Sequence, residues 1–115
     1  MANEVTKLID RSITEVNLDS DVTVIGIYAF AKCYSLTSVT IPSSVTDIQD
    51  RAFNSCTSLA SVTINATTPP QLRNNSYAFA NTNDCPIYVP ASSVDTYKAA
   101  SGWSDYASRI QAIPS

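Results

Sequence analysis

The chain has 115 residues, with seven Lys and Arg against ten Asp and Glu, which gives a net charge of −3. This length is enough for one small domain. A hydrophobic fraction of 44% with only 15% charged residues argues against a disordered tail. The pI of about 4.5 and the lack of a basic run argue against nucleic acid as a partner.

Other missing features narrow the function classes further. No apolar run approaches the ~18 residues of a membrane span, so no membrane insertion is expected, and the N-terminus lacks the basic-then-apolar order of a signal peptide. The sequence contains no histidine, the commonest general base and metal ligand. It also contains no Gly-x-Ser-x-Gly motif and only two glycines. We therefore expect no enzyme activity, no cofactor and no metal.

The chain begins with a segment, residues 1–12, that we interpret as an N-terminal cap. Within it, Glu4–Ile9 carries the apolar side chains Val5, Leu8 and Ile9. Ile13–Leu18 follows and matches Leu36–Ile41 at an offset of 23 residues, which predicts the strand of a partial earlier repeat.

Two clear repeats of 23 residues come next, at 22–44 and 45–67. Twelve of the 23 aligned positions are identical, and most of these are apolar or small. Conservation of that kind between the repeats indicates positions that point inward. A degenerate third unit, 68–90, completes a predicted repeat region spanning 13–90.

Each repeat has the local signals of one coil of a solenoid. Ser38–Ile41 alternates in hydrophobicity and is rich in β-branched residues, which predicts a strand that Pro42 ends. Ala29-Phe30-x-x-Cys33 has helical spacing and predicts one or two helical turns. Because one coil cannot bury its own apolar edge, neighbouring coils must stack. The fold expected is an α/β repeat solenoid with about four parallel strands.

These motifs resemble a known family. The unit x-Ile-x-x-x-Ala-Phe-x-x-Cys-x-Ser-Leu-x-Ser-Val-x-Ile-Pro is similar to the BspA-like class of bacterial leucine-rich repeats, and the stretch from Cys85 to Trp103 is similar to the cap of such arrays. The resemblance covers roughly residues 13–113. It implies a short right-handed array and a surface protein with a role in adhesion. Similar short arrays also occur in phage proteins of gut bacteria.

The last segment, residues 91–115, is predicted to be a C-terminal cap. Ser92 and Asp95 match a capping box for a helix at Val94–Ser101, and Gly102 can adopt the left-handed conformation that ends it. A second short helix is expected at Ser104–Arg109, followed by Ile110–Ile113. The aromatic residues expected to close the last coil are Tyr97, Trp103 and Tyr106.

Cysteines and acidic residues are the remaining candidates for chemistry. Cys33 and Cys56 occupy equivalent repeat positions among apolar neighbours, which favours core thiols over a disulfide, a metal site or a redox role. Cys85 is expected to pack in the cap. Asp19 and Asp21 are expected to be solvated turn residues, with a weak cation site as the alternative.

Alternation along the strands also predicts a polar surface. Since Val39 and Ile41 point inward, their neighbours point outward, as do the equivalent residues of the strands on either side. Either this surface binds a ligand or its hydroxyls simply satisfy an exposed sheet. The residues of this candidate binding face, called below the strand face, are Glu15, Asn17, Ser38, Thr40, Ser61 and Thr63. Tyr28 and Tyr34, at variable positions on the other side, either anchor a partner or pack on the adjacent coil.

The function expected is a non-enzymatic recognition module that binds a protein or a glycan in a bacterial cell-surface or adhesion context. The alternative is a phage-derived or intracellular structural or assembly protein, with oligomerisation possible. The location expected is the cell surface or the medium if the chain is part of a longer protein, and the cytoplasm or a virion otherwise.

Overall fold

The computed structural model describes residues 12–72 and 77–114, together with the backbone of the two-residue strand Glu4–Val5. Its elements are short and follow the order of the repeats. Within this part of the chain there are nine strands: β1 Glu4–Val5, β2 Glu15–Asn17, β3 Val24–Ile25, β4 Ser38–Ile41, β5 Asp47–Ile48, β6 Ser61–Ile64, β7 Gln71–Leu72, β8 Ile87–Val89 and β9 Ile110–Ala112.

The strands belong alternately to two parallel sheets, so that each coil contributes one strand to each sheet. The face sheet has five strands in the order β2-β4-β6-β8-β9, and the back sheet has four in the order β1-β3-β5-β7. The sequence predicted the α/β solenoid correctly but not its number of strands. The return segments of successive coils lie in register and therefore pair with one another, and the cap adds β9.

The register of the sheets follows the sequence repeat. Paired residues of β4 and β6 are 23 positions apart, as the alignment predicted. The separation is 24 positions between β5 and β7 and 25 between β6 and β8. The third unit therefore accommodates its extra residues in loops and still returns its strands to both sheets.

The third side of each coil consists of tight turns, which in the last coil form the 3₁₀ helix Tyr77–Phe79, and not of α-helix. The Phe30 N–H donates to the Ala52 carbonyl of the next coil at 2.7 Å, and the Phe53 N–H donates to the Ala78 carbonyl at 2.8 Å. These N–H groups bond across coils, so they cannot form the i→i−4 bonds of an α-helix. The helix predicted at Ala29-Phe30-x-x-Cys33 is therefore wrong, and we call this side the turn ladder.

Left-handed backbone recurs at equivalent positions of the turn ladder without glycine. Lys32, Ser55 and Asn81 have φ values of 62°, 64° and 58°, and Tyr28 and Arg51 have values of 59° and 56°. Each such residue costs roughly 1–2 kcal/mol relative to right-handed backbone. The hydrogen bonds between coils form only when each coil makes the same turn, and their free energy offsets the cost of the left-handed backbone.

A column of aromatic rings runs through the core between the sheets and the turn ladder. Phe30 stacks on Phe53 with ring centroids 5.2 Å apart, and Phe53 stacks on Phe79 at 5.4 Å. Trp103 of the cap continues the column, 5.8 Å from Phe79. These rings tie each coil to the next and the last coil to the cap.

The cap begins with a 3₁₀ turn at Ala91–Ser93 and helix α1 at Val94–Ala99, and Trp103–Arg109 forms a longer 3₁₀ helix. Helix α1 begins where predicted and ends two residues before Ser101. The predicted capping box is wrong. Ser93, not Ser92, precedes α1, and its hydroxyl donates to the Thr67 carbonyl at 2.8 Å instead of capping the helix.

The aromatic residues predicted to close the last coil do so through hydrogen bonds as well as packing. The Tyr97 hydroxyl donates to the Ala66 carbonyl at 2.6 Å, and the Trp103 indole N–H donates to the Pro70 carbonyl at 2.7 Å. Gly102 has a positive φ of 82°, but it precedes the 3₁₀ helix and does not end α1, whose C-cap is Ala100; the predicted glycine end of α1 is therefore wrong.

At the other end, β1 pairs with β3 and thereby adds a strand to the back sheet. The contribution predicted for Leu8 and Ile9 lies outside the described residues.

Candidate binding face

The six residues of the strand face lie side by side in two rows across the face sheet. Glu15, Ser38 and Ser61 are paired in one row. The second row pairs Asn17, Thr40 and Thr63. The residues between the rows, such as Val39 and Val62, are buried, so both rows point away from the core.

The rows differ in exposure from one end to the other. Glu15 and Asn17 on the edge strand are exposed, whereas the four hydroxyl residues of β4 and β6 are half-buried. The Asn17 amide donates to the Glu15 carboxylate, which fixes both side chains on the sheet. In the described chain, the hydroxyls of Ser38, Thr40, Ser61 and Thr63 form no side-chain hydrogen bond. They can therefore donate to and accept from a ligand laid across the strands.

The second row is longer than the sequence predicted. Thr63 pairs with Tyr88 of β8, and Tyr88 pairs with Gln111 of β9. Tyr88 is half-buried between the buried Ile87 and Val89, and Gln111 is exposed next to the buried Ile110. Their alternation with Ile87 and Ile110 was a visible signal, but β9 could not be assigned to the sheet from its sequence. We call the six residues together with Tyr88 and Gln111 the extended strand face.

A groove of about 500 Å³ opens beside the last strands, between the final coil and the 3₁₀ helix of the cap. We call it the cap groove. Its lining is mostly polar and consists of Phe79, Ala80, Asn81, Asp84, Pro86, Asp105, Tyr106, Ser108, Arg109 and Gln111. A second cavity of about 290 Å³ lies at the loops that leave β4 and β6.

Arg109 is the cation of the cap groove, and bonds to the protein hold it in place. Its Nε donates to the Cys85 carbonyl at 2.7 Å, and one Nη donates to the Thr82 hydroxyl at 2.8 Å. The guanidinium also lies 5.3 Å from the centre of the Tyr106 ring. These contacts join the cap to the last coil. Asp84 and Asp105 are the acidic side chains of the wall.

The surroundings of the groove shift the pKa of the Tyr106 phenol. Burial raises its pKa, and the Asp105 carboxylate adds to this rise. The hydrogen bond from the Phe79 N–H, 3.1 Å long, and the Arg109 charge act in the opposite direction. Tyr106 is therefore neutral at neutral pH.

The cysteines pack in the core, as predicted. Cys33 and Cys56 are fully buried, and the Cys56 thiol donates to the Phe30 carbonyl at 3.1 Å. Burial raises the pKa of the Cys85 thiol, although Arg109 opposes the shift. Among the described residues, no group of three or more Cys, Asp or Glu is placed to hold a metal ion.

The turn ladder carries the exposed aromatic residues outside the strand face. Tyr28 and Tyr34 are both exposed, and so is Tyr77. The Arg51 guanidinium lies 4.8 Å from the centre of the Tyr77 ring and pairs with the Asp50 carboxylate at 2.7 Å. This side therefore presents a tyrosine–arginine contact on the turns.

The stacked parallel strands, their 23-residue register and the polar outer face together define a class, the leucine-rich-repeat solenoids. Residues 9–100 match the model of the BspA type leucine rich repeat region, and the chain belongs to this family. No curated protein matches it. Leucine-rich repeats generally mediate binding of proteins or other ligands and are generally non-enzymatic. None of the described helices is long and apolar enough to cross a bilayer.

Proposed function

We propose that this protein is a non-enzymatic recognition module that binds a protein or glycan through the extended strand face, in a bacterial cell-surface or adhesion context. The observation that carries the proposal is the polar row that crosses all five strands of the face sheet, from Asn17 to Gln111. A ligand lying along this row contacts every coil at once.

The chemistry of the row supports recognition over catalysis. The hydroxyls of Thr40 and Thr63 have no histidine to activate them, because the chain has none. These hydroxyls can instead donate and accept hydrogen bonds from a rigid sheet. Such a preorganised surface loses little conformational entropy when a ligand binds.

The proposal is tested by blocking the middle of the row. Thr40 is half-buried on β4, between Asn17 and Thr63, and Thr40→Arg places a long charged side chain across it. The matched control is Thr96→Arg, at an exposed position of helix α1. Both variants and the natural protein are applied to an immobilised glycan panel and to a random peptide library.

The expected result is that the natural protein and Thr96→Arg retain the same ligand, and that Thr40→Arg binds it at least tenfold more weakly. Equal binding by the two variants would show that the strand face is not the recognition surface. Binding of neither glycans nor peptides by the natural protein would contradict the recognition function itself.

The cellular context needs a separate experiment. Source-cell fractions are blotted with an antibody against this chain, and both the fraction and the size of the band are scored. A surface or secreted band supports adhesion. A cytoplasmic or virion-associated band near 12.4 kDa supports the alternative, a phage-derived or intracellular structural protein.

A further inference from the structure

The cap groove and the extended strand face share residues and form one continuous surface. Gln111 lines the groove and is also the last residue of the polar row. Pro86, another lining residue, directly precedes β8 and accepts a hydrogen bond from the Val62 N–H at 3.1 Å. A ligand that follows the row past β8 therefore reaches the groove.

The groove has the size of a small-molecule site, and its lining is mostly polar. Its volume of about 500 Å³ lies within the range of roughly 300–1,000 Å³ that is common for ligand pockets. The amides of Asn81 and Gln111 can both donate and accept, and the carboxylates of Asp84 and Asp105 accept. A wall of this kind matches a ligand with many groups that each donate and accept.

An aromatic ring adjoins this polar wall. Tyr88 pairs with Gln111 across adjacent strands and points to the same side of the sheet. It is half-buried, so part of the residue remains accessible to the solvent. A tyrosine beside a polar groove can pack its ring on the C–H face of a ligand while its hydroxyl reaches water.

We propose that the cap groove, together with Tyr88, binds a saccharide portion of the ligand. This inference rests on the proposed recognition function and names its ligand class. Saccharide hydroxyls both donate and accept hydrogen bonds, which suits the amides and carboxylates of the wall, and the apolar face of a sugar ring suits Tyr88. Two carboxylates against one guanidinium disfavour phosphorylated or other strongly anionic ligands.

The test uses two variants with matched controls. Tyr88→Ala removes the ring, and its control Tyr34→Ala removes an exposed ring on the turn ladder. Asp84→Asn removes a carboxylate from the groove, and its control Asp95→Asn removes one from the exposed side of α1. Asp84 has a left-handed φ of 47°, which asparagine also tolerates, so this exchange preserves the turn.

These five proteins and Thr40→Arg are applied to the glycan panel and the peptide library, after thermal melting has shown that each is folded. The expected result is that the natural protein retains one or more neutral saccharides. Tyr88→Ala and Asp84→Asn should weaken this binding at least tenfold, whereas Tyr34→Ala and Asp95→Asn leave it within twofold.

Three outcomes would overturn the inference. Retention of peptides but no saccharide contradicts the ligand class and leaves the recognition function in place. Saccharide binding that Thr40→Arg abolishes but both groove variants leave unchanged places the sugar on the strand face alone. If the panel and the library both stay unbound, the proposed function and this inference fail together.

Discussion

Phe53 is the residue whose removal tests the fold most directly. Its ring lies in the middle of the aromatic column, stacked on Phe30 at 5.2 Å on one side and on Phe79 at 5.4 Å on the other. It is fully buried, and its backbone N–H also bonds to the next coil. Phe53→Ala therefore leaves a cavity in the middle coil and breaks the contact between its neighbours.

The expected loss follows from the burial and from the two stacking contacts. Replacing a fully buried Phe by Ala costs about 3–5 kcal/mol. Each aromatic pair adds roughly 0.5–1.5 kcal/mol beyond the buried area, so the upper part of that range is expected here. The whole domain is stabilised by only about 5–15 kcal/mol, so the variant should lose a large part of its stability. Phe30→Ala, which removes one stacking contact, should lose less.

The measurement is urea unfolding followed by circular dichroism, with Tyr34→Ala as the control. Tyr34 is an aromatic residue of the first coil that is 57% exposed, and its replacement should change the free energy of unfolding by about 0.5 kcal/mol or less. Equal and small losses for Phe53→Ala and Tyr34→Ala would show that the aromatic column does not hold the coils together.

Two further predictions concern the cap and the strand face. Burial raises the pKa of the Tyr97 phenol, so the native state favours the neutral form. The stability that the neutral phenol contributes is complete below about pH 10, the pKa of an unfolded tyrosine, and is lost as the pH rises towards the native pKa. Urea unfolding at pH 8 and at pH 11 should therefore show a smaller alkaline loss for Tyr97→Phe than for the natural protein, and an equal loss would contradict this reasoning. Thr63→Ala should cost less than about 1 kcal/mol, because Thr63 is half-buried and its hydroxyl has no side-chain hydrogen bond in the described chain. A larger loss, measured in urea, would mean that the strand face is part of the core.

The repeat register was predictable because the same positions are buried in each coil. Val39 and Ile41 pair directly with Val62 and Ile64, and the alignment of the two units had already matched them. A stacked coil must bury the same residues as its neighbour, so selection for a common core appears in the sequence as identity.

The turn ladder was not predictable from the same information. Ala29, Phe30 and Cys33 are buried, and their spacing fits both one side of a helix and the inner side of successive turns. Glycine would have signalled left-handed backbone, but Lys32 and Ser55 occupy those positions. The choice between helix and turns is made by hydrogen bonds between coils, which a single repeat does not contain.

Residue type alone also gave wrong or no predictions where a side chain contacts a part of the chain that is distant in sequence. Ser93 has the residue type of a helix cap, yet its hydroxyl bonds to the Thr67 carbonyl of the preceding coil. Asp47 aligns with Val24 of the preceding repeat, and although it is charged it is buried in β5. Both placements depend on the stacking of coils that are far apart in sequence.

The extended strand face combines repetition with variation. β4 and β6 have the same sequence, Ser-Val-Thr-Ile, so the centre of the face presents the same hydroxyls twice. The chemistry changes at its two ends, with Glu15 and Asn17 on β2 and with Tyr88 and Gln111 on β8 and β9. A regular centre gives a ligand a flat hydrogen-bonding surface but little to discriminate one ligand from another. Selectivity should therefore arise at the ends, and the cap groove lies at the end with the aromatic ring.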